Sequence, residues 1–279
     1  MKRALKPKTE EQISYLWKDY FSSLKSFFQD THAEMHSKNR DNHIRHDTDP
    51  EYVENMILPI SQYPDYWKGK VALDFGCGCG RNIRNLMKAA DFSRVDGCDI
   101  SSYNAEYSKK YIEEYFDLQE NHNKCKTWET NGYNLQPSPD NEYDYVMSHV
   151  VFQHIPNYSV RYNLIKDIYR VLKPGGIANL HFMDLNASVP YYYDYAGDET
   201  TTLNSTGAPQ SELVTIHMDR SDLNSFMENG MLNCRVENSS YLERDLHEIG
   251  FRNIKCFVGV DPHSNKKSYY IQGWVLNKR

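Results

Sequence analysis

The sequence predicts an α/β fold, with a doubly wound, mostly parallel sheet covered by helices on both faces, a helical segment ahead of it and an insertion after its fifth strand. Three observations point there. Short apolar runs alternate with amphipathic helical stretches from Lys70 to Asp184, the order that builds a parallel sheet. The first of those runs ends in Asp74 and is followed by glycine at positions 76, 78 and 80, a turn from strand into helix. The chain has 279 residues, 39% hydrophobic and 25% charged, a globular balance that excludes disordered and collagen-like order.

Taken in order, Ile13, Leu16, Trp17, Tyr20, Phe21, Leu24, Phe27 and Phe28 mark one wide helical stripe over Glu10–Asp30. A polar run comes next, and Asp49-Pro50-Glu51 opens a short helix toward Ile57, with proline at the first helical position. Val71-Ala72-Leu73 is the first strand, and Ile83, Leu86 and Met87 mark the helix after the glycine turn. Arg94–Asp99 is the second strand; Ser101 and Ser102 can cap a Tyr-rich helix that ends near Phe116. Lys124–Glu129 and Tyr143–Ser148 are the third and fourth strands. Helix Arg161–Leu172 is stopped by Lys173-Pro174-Gly175-Gly176, and Ile177–Met183 is the fifth strand. After Asp184 the alternation breaks in a stretch rich in Tyr, Asn, Thr and Ser. It resumes with a helix at Tyr241–Ile249 and two strands, Phe251–Val258 and Ser268–Leu276, whose short connection makes them antiparallel.

Charge narrows the function classes. With 32 Lys+Arg against 38 Asp+Glu the formal net charge is -6, which offers no basic field for a nucleic-acid backbone. No stretch reaches the roughly 18–20 apolar residues needed to span a bilayer, and Met-Lys-Arg-Ala-Leu-Lys-Pro-Lys lacks the apolar core of a signal peptide, so the expectation is a soluble cytoplasmic protein with reduced thiols at its 6 cysteines. The 22 tyrosines, twice the 11 phenylalanines, are the compositional excess left to explain.

The glycine turn discriminates between two ligands. A dinucleotide fingerprint, G-x-G-x-x-G, would need a third glycine at position 81, where Arg81 stands. The order Asp74-Phe75-Gly76-Cys77-Gly78-Cys79-Gly80 instead puts a carboxylate at the loop entrance, which repels a pyrophosphate and accepts a hydrogen bond from the ammonium of an amino-acid ligand. Here the chain resembles the class I S-adenosylmethionine-dependent methyltransferases. Leu73 to Gly80 resembles that family's first motif; Asp99 stands where the family's acidic residue holds the ribose hydroxyls; Asn131-Gly132 matches the turn at the adenine edge, with Asn in place of the commoner Asp. Tyr143–Ser148, continued by His149-Val150-Val151-Phe152-Gln153-His154-Ile155, is similar to the family's fourth strand and the helix after it, and Arg170 to Gly176 to the turn into the fifth.

The resemblance implies a Rossmann-like methyltransferase fold of seven strands with the last antiparallel, and S-adenosyl-L-methionine as cofactor, with S-adenosyl-L-homocysteine as product and no metal. It implies a cofactor site at Asp74, Gly76, Cys77, Gly78, Gly80, Asp99, Ile100, Asn131, Gly132, Ser148 and His149. His154 and His149, just past the fourth strand, are the candidate bases, since imidazole titrates near neutral pH; the plainer alternative is packing for His154 and a backbone cofactor contact for His149. Asp184 could share that role or serve as a turn cap, and Arg81 could fix the glycine loop or meet the substrate. Tyr191, Tyr192, His217 and Arg220, in the insertion, are the candidate substrate contacts, with Tyr193, Tyr195 and Asp219 beside them. His32, His36, His43 and His46 lack the H-E-x-x-H pattern and are read as solvated or substrate-facing polar side chains in preference to a metal cluster.

The reading is methyl transfer to a small polar metabolite, oxygen slightly ahead of nitrogen, by a methyltransferase domain over 70–279 that carries a helical cap at 1–69 and a substrate-cap insertion at 185–239. The partner is that small-molecule acceptor, with no nucleic acid or membrane and an unassigned oligomeric state. The alternatives are a catalytically silent cofactor-binding partner subunit and a protein methyltransferase.

Overall fold

A computed structural model describes residue 60 and residues 63–118, 122–149, 151–155, 158–184, 192–194, 202–203, 214–215, 233–236, 239–260 and 270–278. Helix α1 is Pro64–Trp67, followed by β1 Val71–Phe75, α2 Arg81–Ala89, β2 Arg94–Asp99, α3 Ser102–Tyr115, β3 Thr127–Glu129, β4 Tyr143–Ser148, α4 Tyr158–Val171 and β5 Leu172–Asp184. Then come β6 Tyr192–Asp194, β7 Thr202–Leu203, β8 Val214–Thr215, β9 Asn233–Val236, α5 Ser239–Ile249, β10 Phe251–Val260 and β11 Tyr270–Lys278.

Seven strands run β10-β11-β5-β4-β1-β2-β3 across one sheet. β3, β2, β1, β4 and β5 are parallel to one another, while β11 is antiparallel to both β5 and β10. The chain leaves β1 toward β2 on one side and returns to β4 on the other, so the strand order reverses at β1/β4, and the C-terminal ends of these strands form the crevice where α/β sheets take ligands.

The sheet departs from the expected seven strands. β9 pairs in parallel with the end of β5 (Met183↔Arg235, Asp184↔Val236) and β6 pairs with β9, so two strands of the insertion make it nine-stranded. β7 and β8 form a separate two-stranded ladder. Nor does Pro174-Gly175-Gly176 separate helix from strand. β5 starts at Leu172, and its pairing with β4 jumps from Tyr143↔Leu172 to Tyr145↔Ile177, so residues 173–176 form a bulge inside the ladder. β3 starts at Thr127 because His122–Lys124 closes a 3₁₀ turn first. The helical stripe over 10–30 and the helix at 49–57 lie outside the described residues.

Two apolar layers hold the sheet. Val160, Leu164, Ile168, Leu242 and Leu246 of α4 and α5 pack on Leu73, Phe75, Val146, Leu180 and Phe182. On the other face Ile83 and Leu86 of α2 and Ile112 of α3 cover Ala72, Val95, Tyr145 and Met147. Trp67 seals this second layer, its ring edge-on to Tyr145 at 5.2 Å. A buried Trp of this kind stabilises a fold by about 3–5 kcal/mol relative to alanine.

Candidate active site

The glycine turn is built by backbone conformation and close approach. Gly76, Gly78 and Gly80 all have left-handed φ (77°, 51° and 89°). A Cβ at Gly76 would lie 2.2 Å from Val151 Cγ2, whereas one at Gly78 would meet nothing within 4 Å. The turn therefore needs glycine at 76 to pack and presents its backbone to open space at 78, the side on which a ligand can approach. The amides of Gly76 and Cys77 donate to the Cys98 carbonyl at 2.8 and 3.0 Å, and Gly80 caps α2. Gly97 on β2 lets α2 sit close, since a Cβ there would fall 2.5 Å from Ile83 Cδ1.

Two carboxylates flank this turn and differ sharply. Asp99, at the end of β2, has Oδ2 accepting from Gly78 N (2.9 Å) and Oδ1 accepting from Ser101 N (2.9 Å) and Asn104 Nδ2 (3.1 Å). It thereby ties the glycine turn to the start of α3, where Ser101 Oγ accepts from Asn104 N as the N-cap. Asp74, at the end of β1, is 0% exposed, and neither of its oxygens has a hydrogen-bond donor among the described residues. Burial pushes its carboxyl up to about 7, with Arg81 pulling back and Asp99 adding to the rise. A buried carboxylate without a donor is costly, and an ammonium or hydroxyl donor brought in by a ligand would relieve it.

Cys77 Sγ lies 3.7 Å from Ser108 Oγ, and burial holds the thiol protonated, so this cysteine packs. Ile100 is partly buried against the α4/α5 layer. Asn131 builds its own turn: Oδ1 accepts from Tyr133 N (3.1 Å) and Asn134 N (3.0 Å), and Nδ2 donates to Asn134 Oδ1. Gly132 comes next at φ 80°, its amide donating to Thr130 Oγ1. Asp99 and Asn131 thus both accept hydrogen bonds from neighbouring groups of the protein, Asp99 from the glycine turn and the start of α3 and Asn131 within its own turn.

Beyond β4 the buried side chains turn polar. Ser148 Oγ is buried with no partner among the described residues. His149 is 8% exposed, its Nδ1 3.5 Å from Arg81 Nη2, so the first residue of α2 reaches from the glycine turn to the end of β4. The ring partner of His149 is not His154 but His181 of β5, T-shaped at 4.8 Å between centroids. His154 ends the 3₁₀ turn Phe152–His154, half-buried, its amide donating to Val151 O. Sequence patterns alone do not single out His181. Its signal is Asn179-Leu-His181, two polar residues that alternate with the buried apolar Ala178, Leu180 and Phe182.

Of the remaining candidates, Asp184 and Tyr192 lie on β5 and β6, paired through their backbones with Val236 and Asn233 of β9. Tyr191, His217 and Arg220, like His32, His36, His43 and His46, lie outside the described residues. Among the described residues no group of three metal-ligating side chains converges, and no helix there is long and apolar enough to cross a membrane.

Residues 73–180 match the family model described as a methyltransferase domain. The chain is 32% identical over 126 residues to phosphoethanolamine N-methyltransferase 2 of Caenorhabditis elegans, a match covering 45% of this chain and 26% of the relative. It is 30% identical over 114 residues to a sterol 24-C-methyltransferase of Aspergillus fumigatus, covering 41% and 28%. The chain thus spans little more than a quarter of the length of these curated relatives. Among solved structures, magnesium protoporphyrin IX methyltransferase from Synechocystis with bound S-adenosylhomocysteine superposes with a TM-score of 0.58 at 14% identity, over 92% of this chain and 99% of that one, a likeness of fold.

Proposed function

We propose that the protein is a class I, S-adenosylmethionine-dependent methyltransferase that transfers the cofactor's methyl group to a small polar metabolite, an oxygen acceptor ahead of a nitrogen one; the match of residues 73–180 to a methyltransferase domain supports this reading. The observation that carries this reading is Asp74, a buried carboxylate with no donor among the described residues, next to a glycine turn whose backbone is open at Gly78. That pair fits the amino-acid end of the cofactor, and a pyrophosphate would be repelled there. The cofactor supplies an activated methyl group on a sulfonium. The chain's part is to bind and orient: Asp74 takes the ammonium, Asp99 holds the ribose hydroxyls while fixing Gly78, and Asn131 and Gly132 shape the turn at the adenine end. His149 and His154 are the side chains proposed to meet the acceptor's proton, within hydrogen-bond reach of about 3 Å.

Residues 1–69 and 185–239 are proposed as the substrate cap on a 70–279 core. Support for 185–239 comes from β9 and β6, which extend the sheet beyond the end of β5 on the crevice side, while Ile60 and Trp67 of the first segment pack into the core layer. The named acceptors of the curated relatives, phosphoethanolamine and a sterol, favour a small molecule. The test is to incubate the full chain with methyl-labelled cofactor and a cell extract. Label in the small-molecule fraction is the expected result; label in protein, or cofactor binding with no transfer, selects the protein-methyltransferase or silent-subunit alternative. A His154→Ala chain with unaltered transfer removes that residue as a base.

A further inference from the structure

Pairing of Ser148 with Leu180 places the residues that follow, His149 just past β4 and His181 within β5, side by side, with their ring centroids 4.8 Å apart. On the other flank Asp74 pairs with Met147, so Gly76 and His149 both stand two residues past that pair. One row, just past the ends of β1 and β4 and three residues short of the end of β5, therefore reads glycine turn, His149, His181. By strand alternation His181 shares a face with Asn179, Met147 and Asp74. Its imidazole is 2% exposed, and neither ring nitrogen has a partner among the described residues. The residue opposite it on β11 is Gly273, which adds no side chain beside the ring. A core histidine ordinarily spends at least one nitrogen on a hydrogen bond, so this one is built to meet a ligand.

We propose that His181 is a substrate-binding residue: its ring, held edge-on by His149, faces the transferring methyl position and accepts the hydrogen bond of the acceptor's O–H or N–H. This rests on the methyltransferase reading above. Burial also holds the ring neutral, with its pKa lowered to about 3, which leaves a lone pair for accepting a hydrogen bond and suits holding the acceptor better than removing its proton. Of the other polar side chains on this face, Asn179 lies two residues deeper than His181, Asp74 is level with Asn179 through Met147, and Tyr145 is four residues deeper, level with Ile177.

The inference can be tested without knowing the acceptor. Sinefungin carries an amine where the cofactor carries its methyl group, so that ammonium stands in for the acceptor's polar hydrogen, whereas S-adenosyl-L-homocysteine has nothing at that position. Calorimetric affinities of both would be measured on the full chain and on His181→Gln and His181→Phe. Expected is a loss of about tenfold or more for sinefungin with His181→Phe, a smaller loss with His181→Gln, and a change under about twofold for the homocysteine product. Equal losses for both ligands would make His181 a packing residue, and no loss for either would place it away from the methyl position; either overturns the proposal. A wild-type chain that binds neither ligand would overturn the methyltransferase reading itself.

Discussion

The two halves of the crevice are built on opposite principles. On the β1/β2 side the polar groups are mostly spent on the protein itself: Asp99 takes three donors, Gly76 and Cys77 share the Cys98 carbonyl, and Asn131 ties its own turn. On the β4/β5 side Ser148 and His181 are buried without partners among the described residues. Asp74 stands between them, on β1 yet unpartnered like the second half. The first half satisfies its polar groups within the protein, and the second leaves buried polar atoms for the proposed ligand to meet.

Several substitutions would break or sharpen that contrast. The largest effect is expected from Asp99→Ala, which orphans the Gly78 and Ser101 amides and the Asn104 amide group at once. With each charge-assisted bond worth about 1.5–3 kcal/mol, cofactor affinity should fall by about a hundredfold or more in calorimetry, with a lower melting temperature. Next comes a pair of glycine substitutions. Gly76→Ala meets Val151 at 2.2 Å in a left-handed backbone and should cost about 2–4 kcal/mol of stability in denaturant unfolding. Gly78→Ala has room for its methyl, so it should cost only about 1 kcal/mol while weakening cofactor binding more than its stability loss accounts for. If the two alanines behave alike, Gly78 is not the open face of the turn.

A third test uses pH. Asp74 is raised from 3.8 to about 7, so the folded chain binds more protons than the unfolded one between those values, and this group lowers stability as pH rises from 4 toward 7. Binding has the opposite sign: an ammonium prefers the carboxylate, so affinity for S-adenosylhomocysteine should climb by up to about tenfold per pH unit below 7 and level off above it. Asp74→Asn should flatten this dependence; a slope unchanged in that variant would assign it to another group. The smallest effect belongs to Ser101→Ala, which removes the α3 cap and should cost about 1 kcal/mol in thermal unfolding with little change in ligand affinity.

The first half of the crevice was legible in the sequence because its requirements are local. A glycine at every second position after a strand, an acid at the end of the next one and a Ser before a helix each specify a backbone shape within a few residues. β2 and β4 appear within the bounds their apolar runs predict. The second half depends on register. His181 becomes visible only when Ser148↔Leu180 sets it beside His149, a pairing between residues far apart in the chain. The bulge at 173–176 misleads for a related reason, since Pro and Gly read as a stop, while a ladder can resume beyond a bulge. Of the tyrosine excess, Tyr103, Tyr107, Tyr111 and Tyr115 recur every four residues on α3, with rings paired at 6.1 and 5.9 Å, and Tyr111 accepts from buried Arg84. That share is helix packing and not acceptor chemistry.

The most direct measurement is calorimetric titration of the full chain with S-adenosyl-L-homocysteine at pH 8, with nicotinamide adenine dinucleotide titrated in parallel. One site for the homocysteine product, lost in Asp99→Ala, and no heat from the dinucleotide is the expected result. Absence of binding by the homocysteine product, or binding of the dinucleotide in its place, would contradict the assignment of the crevice.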